Sequence, residues 1–323
     1  MRGHLDPQAS MFSYFSPEAR VPAAHPLRSI KGYADTVLRS LSRDIDELYA
    51  ITGRPSIPPE RLLKASLLIA LYSVRSDRLF CEMLDYNILF RWFLDMNLLS
   101  DEHFTVDGTL IEAWASTAKS MRRKDGPPDA GGPDDQGMVN IRGERRSNAT
   151  HASATDPDAK LMRKSKGKES KLSYGGHALM ENRHGLCVDL KVTAAVETET
   201  AAAKAMLDRQ RRKRVRPSTL GADKGYHSKD FVAHLRRRKI APHIAMIDGR
   251  KTPGLDARTT RHGGYAVSQQ KRKRVEEIFG WMKAYGGLRR TMARGLRRVQ
   301  LHAYLVGAAY NLLRLARLQP LTG

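Results

Sequence analysis

The stretch His103–Ser116, HFTVDGTLIEAWAS, decides how the chain is read. Its apolar and β-branched residues predict a buried strand. Asp107 nevertheless stands near its start. Burying a carboxylate costs several kcal/mol unless a hydrogen-bond network, a cation or a metal compensates. The partners of Asp107 must come from elsewhere in the chain.

Downstream, residues 117–171 are polar and include KDGPPDAGGPDDQG and RKSKGKESK. This composition predicts a flexible insertion with no core of its own. KLSYGGHALMEN and GLCVDLKVTAA flank a turn-rich RHG and read as a β-hairpin. TETAAAKAMLDRQRRKR follows as a helix with a basic end, then STLGADKGYH as a short strand and turn. SKDFVAHLRRRK is a helix capped by Ser228, and IAPHIAMI is a strand. SQQKRKRVEEIFGWMKAY reads as one long helix. RVQLHAYLVGAAYNLLRLARL is amphipathic, with Leu301, Leu305, Ala308 and Leu312 forming a core or partner-helix face. The order is three strands, helix, strand, helix, strand, helix. It predicts an α/β domain, a mixed sheet with flanking helices, in the order of a ribonuclease-H-like fold.

Upstream, residues 26–98 carry a helical pattern and are expected to form a separate N-terminal domain that binds DNA ends or a second subunit. Val37, Leu41, Ile45 and Leu48 recur at three and four, the period of a helix face. TGRPSIPPE punctuates this region and starts a new helix. Residues 1–25 are expected to be poorly ordered.

Charge narrows the partner. Among 323 residues, 56 Lys and Arg face 34 Asp and Glu, a net charge of +22, with a pI near 10.2. Such a field favours a polyanion, most commonly nucleic acid. No stretch has the ~18 apolar residues of a membrane span. Cys81 and Cys187 lie in apolar contexts without zinc spacing, so they read as buried free thiols of a reducing cytoplasm. No basic-then-apolar leader opens the chain, so a cytoplasmic, nucleoid-associated protein is expected. Arg211, Arg212 and Lys213, in the run Arg209–Arg216, read either as a solvated helix end or as contacts to a DNA backbone.

Acids supply the candidate chemistry. Asp223 ends the strand of LGADKGY, and in this topology that strand neighbours the one holding Asp107. Clustered carboxylates repel unless cations sit between them, and Mg²⁺ suits such a set. Two such ions, about 3.5–4 Å apart, serve in-line phosphoryl transfer. A third acid is available from VEEIFGWMK, as Glu276 or Glu277. At about 100° per residue, Arg272 and Lys283 lie within roughly 40° of Glu276, which favours it over Glu277.

FTVDGTLIEAWAS, LGADKGYHSKDFV and RKRVEEIFGWMK…GGLRR together resemble bacterial insertion-sequence transposases of the DDE type, in the IS-five-like group. The family's late pattern of Arg, three residues, Glu, six residues and Lys is matched by Arg272, Glu276 and Lys283. The Tyr usual two residues before that Arg is Gln269 here. The resemblance implies a ribonuclease-H-like catalytic domain in which Asp107, Asp223 and Glu276 hold Mg²⁺, with Mn²⁺ as a substitute. Arg272 and Lys283 would contact DNA. The implied partners are double-stranded DNA, both terminal inverted repeats and target, and a second copy of the chain on that DNA. Family members usually carry a few tens of further residues, including a helical segment, where this chain has only Asn97 between FRWFLDM and LLSDEHF. This departure leads us to expect DNA binding with weak or absent transposition. Two alternatives are a non-catalytic DNA-binding relic and a structure-selective nuclease of the same fold.

Overall fold

The strand holding Asp107 is the centre of the sheet. In a computed structural model it spans His103–Ala113, here β1. The structure describes residues 18, 21–49, 57–93, 103–113, 115, 121–124, 139–141, 144–163 and 168–318. It describes the backbone alone at 85–86, 103–108, 139–141 and 144–145. The expectations for residues 1–17 and for the junction at Asn97 lie outside the described residues.

The chain divides into two units, one of residues 1–65, 74–97 and 315–323, the other of 66–73 and 98–314. The sequence reading placed boundaries near 25 and 98. The first unit holds α1 (Pro26–Asp46), the start of α2 (Pro59–Leu71), α3 (Asp77–Tyr86) and α4 (Ile88–Trp92). Pro26 opens α1, and the His25 ring accepts from the Leu27 amide at 3.2 Å. The face α1 buries is not the expected one. Leu27, Ile30, Ala34 and Leu38 are buried, whereas Val37, Leu41 and Leu48 are exposed. Both stripes satisfy helical spacing, so periodicity could not choose between them. Phe80 and Phe90 stack at 5.6 Å between α3 and α4.

In the second unit β1 is flanked on one side by β7 (Lys171–Glu181), antiparallel, which pairs in turn with antiparallel β8 (Leu186–Ala194). On its other side lie β9 (Thr219–Ala222) and β10 (Ala241–Ile244), both parallel to β1. The order β8-β7-β1-β9-β10, with only β7 running against the rest, is that of a ribonuclease-H-like sheet. The hairpin turns at Gly185, whose φ of +71° suits glycine. Glu181 satisfies this turn, its carboxylate accepting from the amides of Arg183 and His184.

Helices α5 (Glu199–Arg212) and α6 (Lys229–Arg237) start at Thr198 and Ser228, whose hydroxyls accept from Ala201 and Phe231. Their apolar faces join the sheet in one core that includes Met206, Leu207, Leu220, Phe231 and Leu235. After the short α7 (Ala257–Thr260), the predicted long helix is interrupted. It runs as α8 (Gly263–Lys271), a 3₁₀ turn over Arg272–Arg274, and α9 (Val275–Ala284). The final helix, α10, spans Leu296–Leu318. It buries Val299, Ala303, Val306, Ala309 and Leu312 and leaves Leu301 and Tyr304 exposed, so of the expected core or partner-helix face only the Leu312 end is core.

Parts of the supposed flexible insertion are built into the fold. β2 (Met121–Arg123) pairs with β5 (His151–Ser153), and β3 (Val139–Ile141) with β4 (Glu144–Arg146). β6 (Lys160–Met162) adds to β7. Leu161 and Met121 are buried, and the Asp156 carboxylate accepts from the Tyr174 hydroxyl at 2.5 Å. Few apolar residues suffice where a segment adds to an existing sheet, and composition does not register such a borrowed core. Cys187 is buried, but Cys81 is exposed, against expectation. Among the described residues, no helix is long and apolar enough to cross a membrane.

Candidate active site

The parallel pairing of β1 with β9 sets the two aspartates. Thr105 lies opposite Gly221. Asp107 lies two residues beyond Thr105 on β1, and Asp223 two residues beyond Gly221, just past the end of β9, so the two acids stand equally far along from the last paired residues. On its other side Asp107 faces Ala178 of β7. Only the backbone of Asp107 is described. At Asp223 the chain leaves β9 for a 3₁₀ turn over Lys224–Tyr226, and the Asp223 Oδ1 caps that turn by accepting from the Gly225 amide at 2.8 Å. This is the carboxylate's only hydrogen bond among the described residues. The Oδ2 atom is uncommitted, and the residue is half-buried.

Gly225 is tightly surrounded. A Cβ there would stand 3.0 Å from Asp223 Oδ1 and 3.6 Å from Glu199 Oε2. Glu199, the first residue of α5, is therefore a further acid beside the Asp223 turn. Sequence reasoning missed it because it lies 24 residues upstream of Asp223 in an ordinary helix start. Only the packing of α5 against the turn joins them.

The late-helix candidates separate clearly. Glu276 is exposed and makes no hydrogen bond or ion pair among the described residues. Glu277 points to Arg314 of α10, 3.9 Å away. Arg272 packs over β9: a Cβ on Gly221 would lie 3.5 Å from the Arg272 Cβ, and Arg272 Nε is buried without a hydrogen-bond partner. At the other end, Lys283 donates to the hydroxyl of Thr109, two residues beyond Asp107 on β1. Glu276 is thus carried on a segment pinned at Gly221 before it and at Thr109 after it. Phe279 is buried, and Trp281 packs against Tyr310.

The basic run lies elsewhere. Arg211, Arg212 and Lys213 are exposed at the end of α5, beside the start of β9 rather than its Asp223 end. His177, opposite Gly108, turns to the hairpin and pairs with the Thr193 hydroxyl at 3.0 Å. Burial drives its pKa down to about 4, so the ring is neutral near pH 7.

Asp223 and Glu276 are hard oxygen donors with uncommitted lone pairs, the chemistry that suits Mg²⁺. Among the described residues, no three His, Cys, Asp or Glu side chains form a group able to hold a metal, and that set excludes the Asp107 side chain.

A ribonuclease-H-like sheet with one acid within its central strand and another just past the end of the parallel strand beside it defines the class of domain. Residues 143–312, just over half of the chain, match the family model of the transposase DDE domain, and residues 15–114 match that of a transposase domain, DUF772. The chain belongs to the DDE transposase family. No curated protein sequence matches it. Distant structural similarity extends to the piggyBac transposase synaptic complex with hairpin DNA, at 11% identity over 91% of this chain and 75% of that one, with a TM-score of 0.44. A pre-cleavage Mos1 transpososome is 11% identical over 86% and 69%, with a TM-score of 0.22. The mariner Mos1 paired-end complex with Mg is 12% identical over 97% and 82%, at 0.21.

Proposed function

We propose that the chain is an insertion-sequence transposase of the IS-five-like group that cuts and joins duplex DNA at element ends. The observation that supports the reading is the parallel register of β1 on β9, from whose last pair, Thr105 and Gly221, Asp107 and Asp223 each follow two residues on. Glu276 is the third acid, because it is uncommitted whereas Glu277 faces Arg314. Bound by these acids, a pair of Mg²⁺ ions would stabilise the entering and leaving oxygens of an in-line phosphoryl transfer.

The chain's own residues hold and orient the reactants. Arg272, with its unpartnered guanidinium Nε, and Lys283 supply positive charge to the phosphates beside the acids. In the first reaction water replaces the 3′ oxygen at the element end and frees a 3′-hydroxyl. In the second that hydroxyl attacks a phosphodiester of the target. Each exchanges one P–O bond for another, so no protein nucleophile is required. The DNA partners are the terminal inverted repeats and the target, bound by a homodimer.

The short junction at Asn97 favours a second reading, in which the chain binds element ends but transposes weakly or not at all. Chemistry that needs near-ångström positioning fails before phosphate binding does. Incubating the purified chain with its own element ends and Mg²⁺ tests both. Cleavage and joining support the transposase, binding without cleavage supports the relic, and no binding refutes both. Cutting governed by DNA structure rather than end sequence would favour the nuclease.

A further inference from the structure

Two basic runs far apart in sequence meet on one surface. Helix α5 ends with Arg209, Arg211 and Arg212, and α6 with Arg236 and Arg237. Arg211, Arg216, Arg237, Arg238 and Lys239 line one hollow of about 270 Å³, floored by Val215 and Pro217. Arg238 is held by Asp208 at 2.9 Å. Arg211, Arg216, Arg237 and Lys239 are exposed and make no side-chain hydrogen bond or ion pair among the described residues.

Helix dipoles alone do not account for this arrangement. Cations in a last helical turn are favoured by the dipole, which covers Arg211 and Arg237 but not Arg216 or Lys239, both past the helix ends. Arg214 and Lys239, just after α5 and α6, adopt φ of +64° and +60°. Glycine is the residue favoured at such a position, yet a cation occupies both. The surface keeps positive charge at a backbone cost.

Its place in the sheet matters as much as its charge. Residues 216 and 239 lead into β9 and β10, whose first residues, Thr219 and Ala241, pair with one another. Asp223 follows the last residue of β9. The hollow and the acids therefore stand at opposite ends of the central parallel strands, separated by roughly 13 Å of strand alone. DNA is stiff over about 150 base pairs, so a duplex lying across the strand ends at the acids cannot bend round to this face, whereas one lying along the strands would touch both and would make single-duplex binding depend on both.

We propose that the ends of α5 and α6 form a second seat for duplex DNA. It grips phosphates without regard to sequence and takes a duplex other than the one held at the acids. This rests on the transposase reading, because only that reading puts a first duplex at Asp223.

The test is capture of a second duplex by the full chain. Donor- and acceptor-labelled 30-base-pair random duplexes are mixed with wild type and with an R211A/R216A/R237A variant, and energy transfer reports duplexes held together. Wild type should bridge them, and the triple variant should lose bridging about tenfold while retaining single-duplex binding. Its overall log–log salt slope should fall by about 2.7, at roughly 0.9 per lost phosphate contact. The charge-preserving R211K/R216K/R237K variant should bridge, which separates lost charge from misfolding. Bridging that survives the triple variant, as it would if paired copies each held one duplex at the acids, overturns the second seat. So does equal loss of single-duplex binding, or binding of an acidic peptide but no DNA. Asp223→Asn should leave bridging intact. If it abolishes cleavage while the triple variant still bridges, the second seat fails and the transposase reading stands.

Discussion

Thr105 of β1 stands opposite Gly221 of β9, and each is followed two residues later by an aspartate, Asp107 within β1 and Asp223 just past the end of β9. Neighbouring acids at one level repel unless a cation lies between them. Asp107→Asn and Asp223→Asn each keep shape and remove a charge. Each should cut Mg²⁺-dependent single-turnover cleavage of a pre-nicked end by about 10²–10³-fold, since a metal supplies several kcal/mol at the transition state. DNA affinity, measured by gel shift, should change little. Cleavage at the wild-type rate in either variant would remove that residue from the site.

Adjacent residues on α9 give a sharper contrast. Glu276→Gln should lose cleavage to the same degree. Glu277→Gln should cleave within a few-fold of wild type, because it loses only a 3.9 Å pair with Arg314 of about 0–1 kcal/mol. Equal losses in the two variants, or the reverse order, would assign the third acid wrongly.

Gly225 should be sensitive to a single methyl group. Its Cβ would press on Asp223 Oδ1 at 3.0 Å and approach Glu199. Gly225→Ala should slow cleavage about tenfold, as a carboxylate moves by tenths of an ångström. Thermal melting should show a loss of about 1 kcal/mol at most. An unchanged rate would mean that the cap at Asp223 does not position the acid.

These contrasts also show what the sequence could reveal. The order of strands and helices was legible because β7 and β8 flank a turn and β9 and β10 each precede or follow capped helices. Residue type and local pattern single out Asp107, Asp223 and Glu276 as the candidate acids. The choice of buried face was not: Leu27 and Leu38 satisfy the same spacing as Val37 and Leu41 on α1. Glu199 was invisible because the packing of the α5 start against the Asp223 turn, not spacing, brings it to Gly225. The strands within 121–162 were missed because each is only three residues long with few apolar residues, and the buried Leu161 gains its place by β6 adding to β7 of the main sheet. The meeting of Arg211 with Arg237 likewise exists only once α5 and α6 end side by side.

His177 gives the fold a pH dependence. Buried beside Thr193, it titrates at about 4, well below its ordinary 6.5. A depressed pKa means the unfolded chain binds the proton first, so stability is full above about pH 6.5 and declines as pH falls toward 4. The ceiling is roughly 3 kcal/mol. Urea unfolding of His177→Gln should show a shallower decline between pH 6.5 and 4 than wild type. Identical slopes would place the acid sensitivity elsewhere.

Whether the acids bind metal can be read without relying on turnover. Fe²⁺ substituted for Mg²⁺ generates hydroxyl radicals that cut the polypeptide next to the bound ion. In the complex with element-end DNA, backbone cuts should fall beside residues 107, 223 and 276. Added Mg²⁺ should suppress them, and Asp223→Asn should abolish them. Cuts confined to other segments, or an unchanged pattern in Asp223→Asn, would contradict the account.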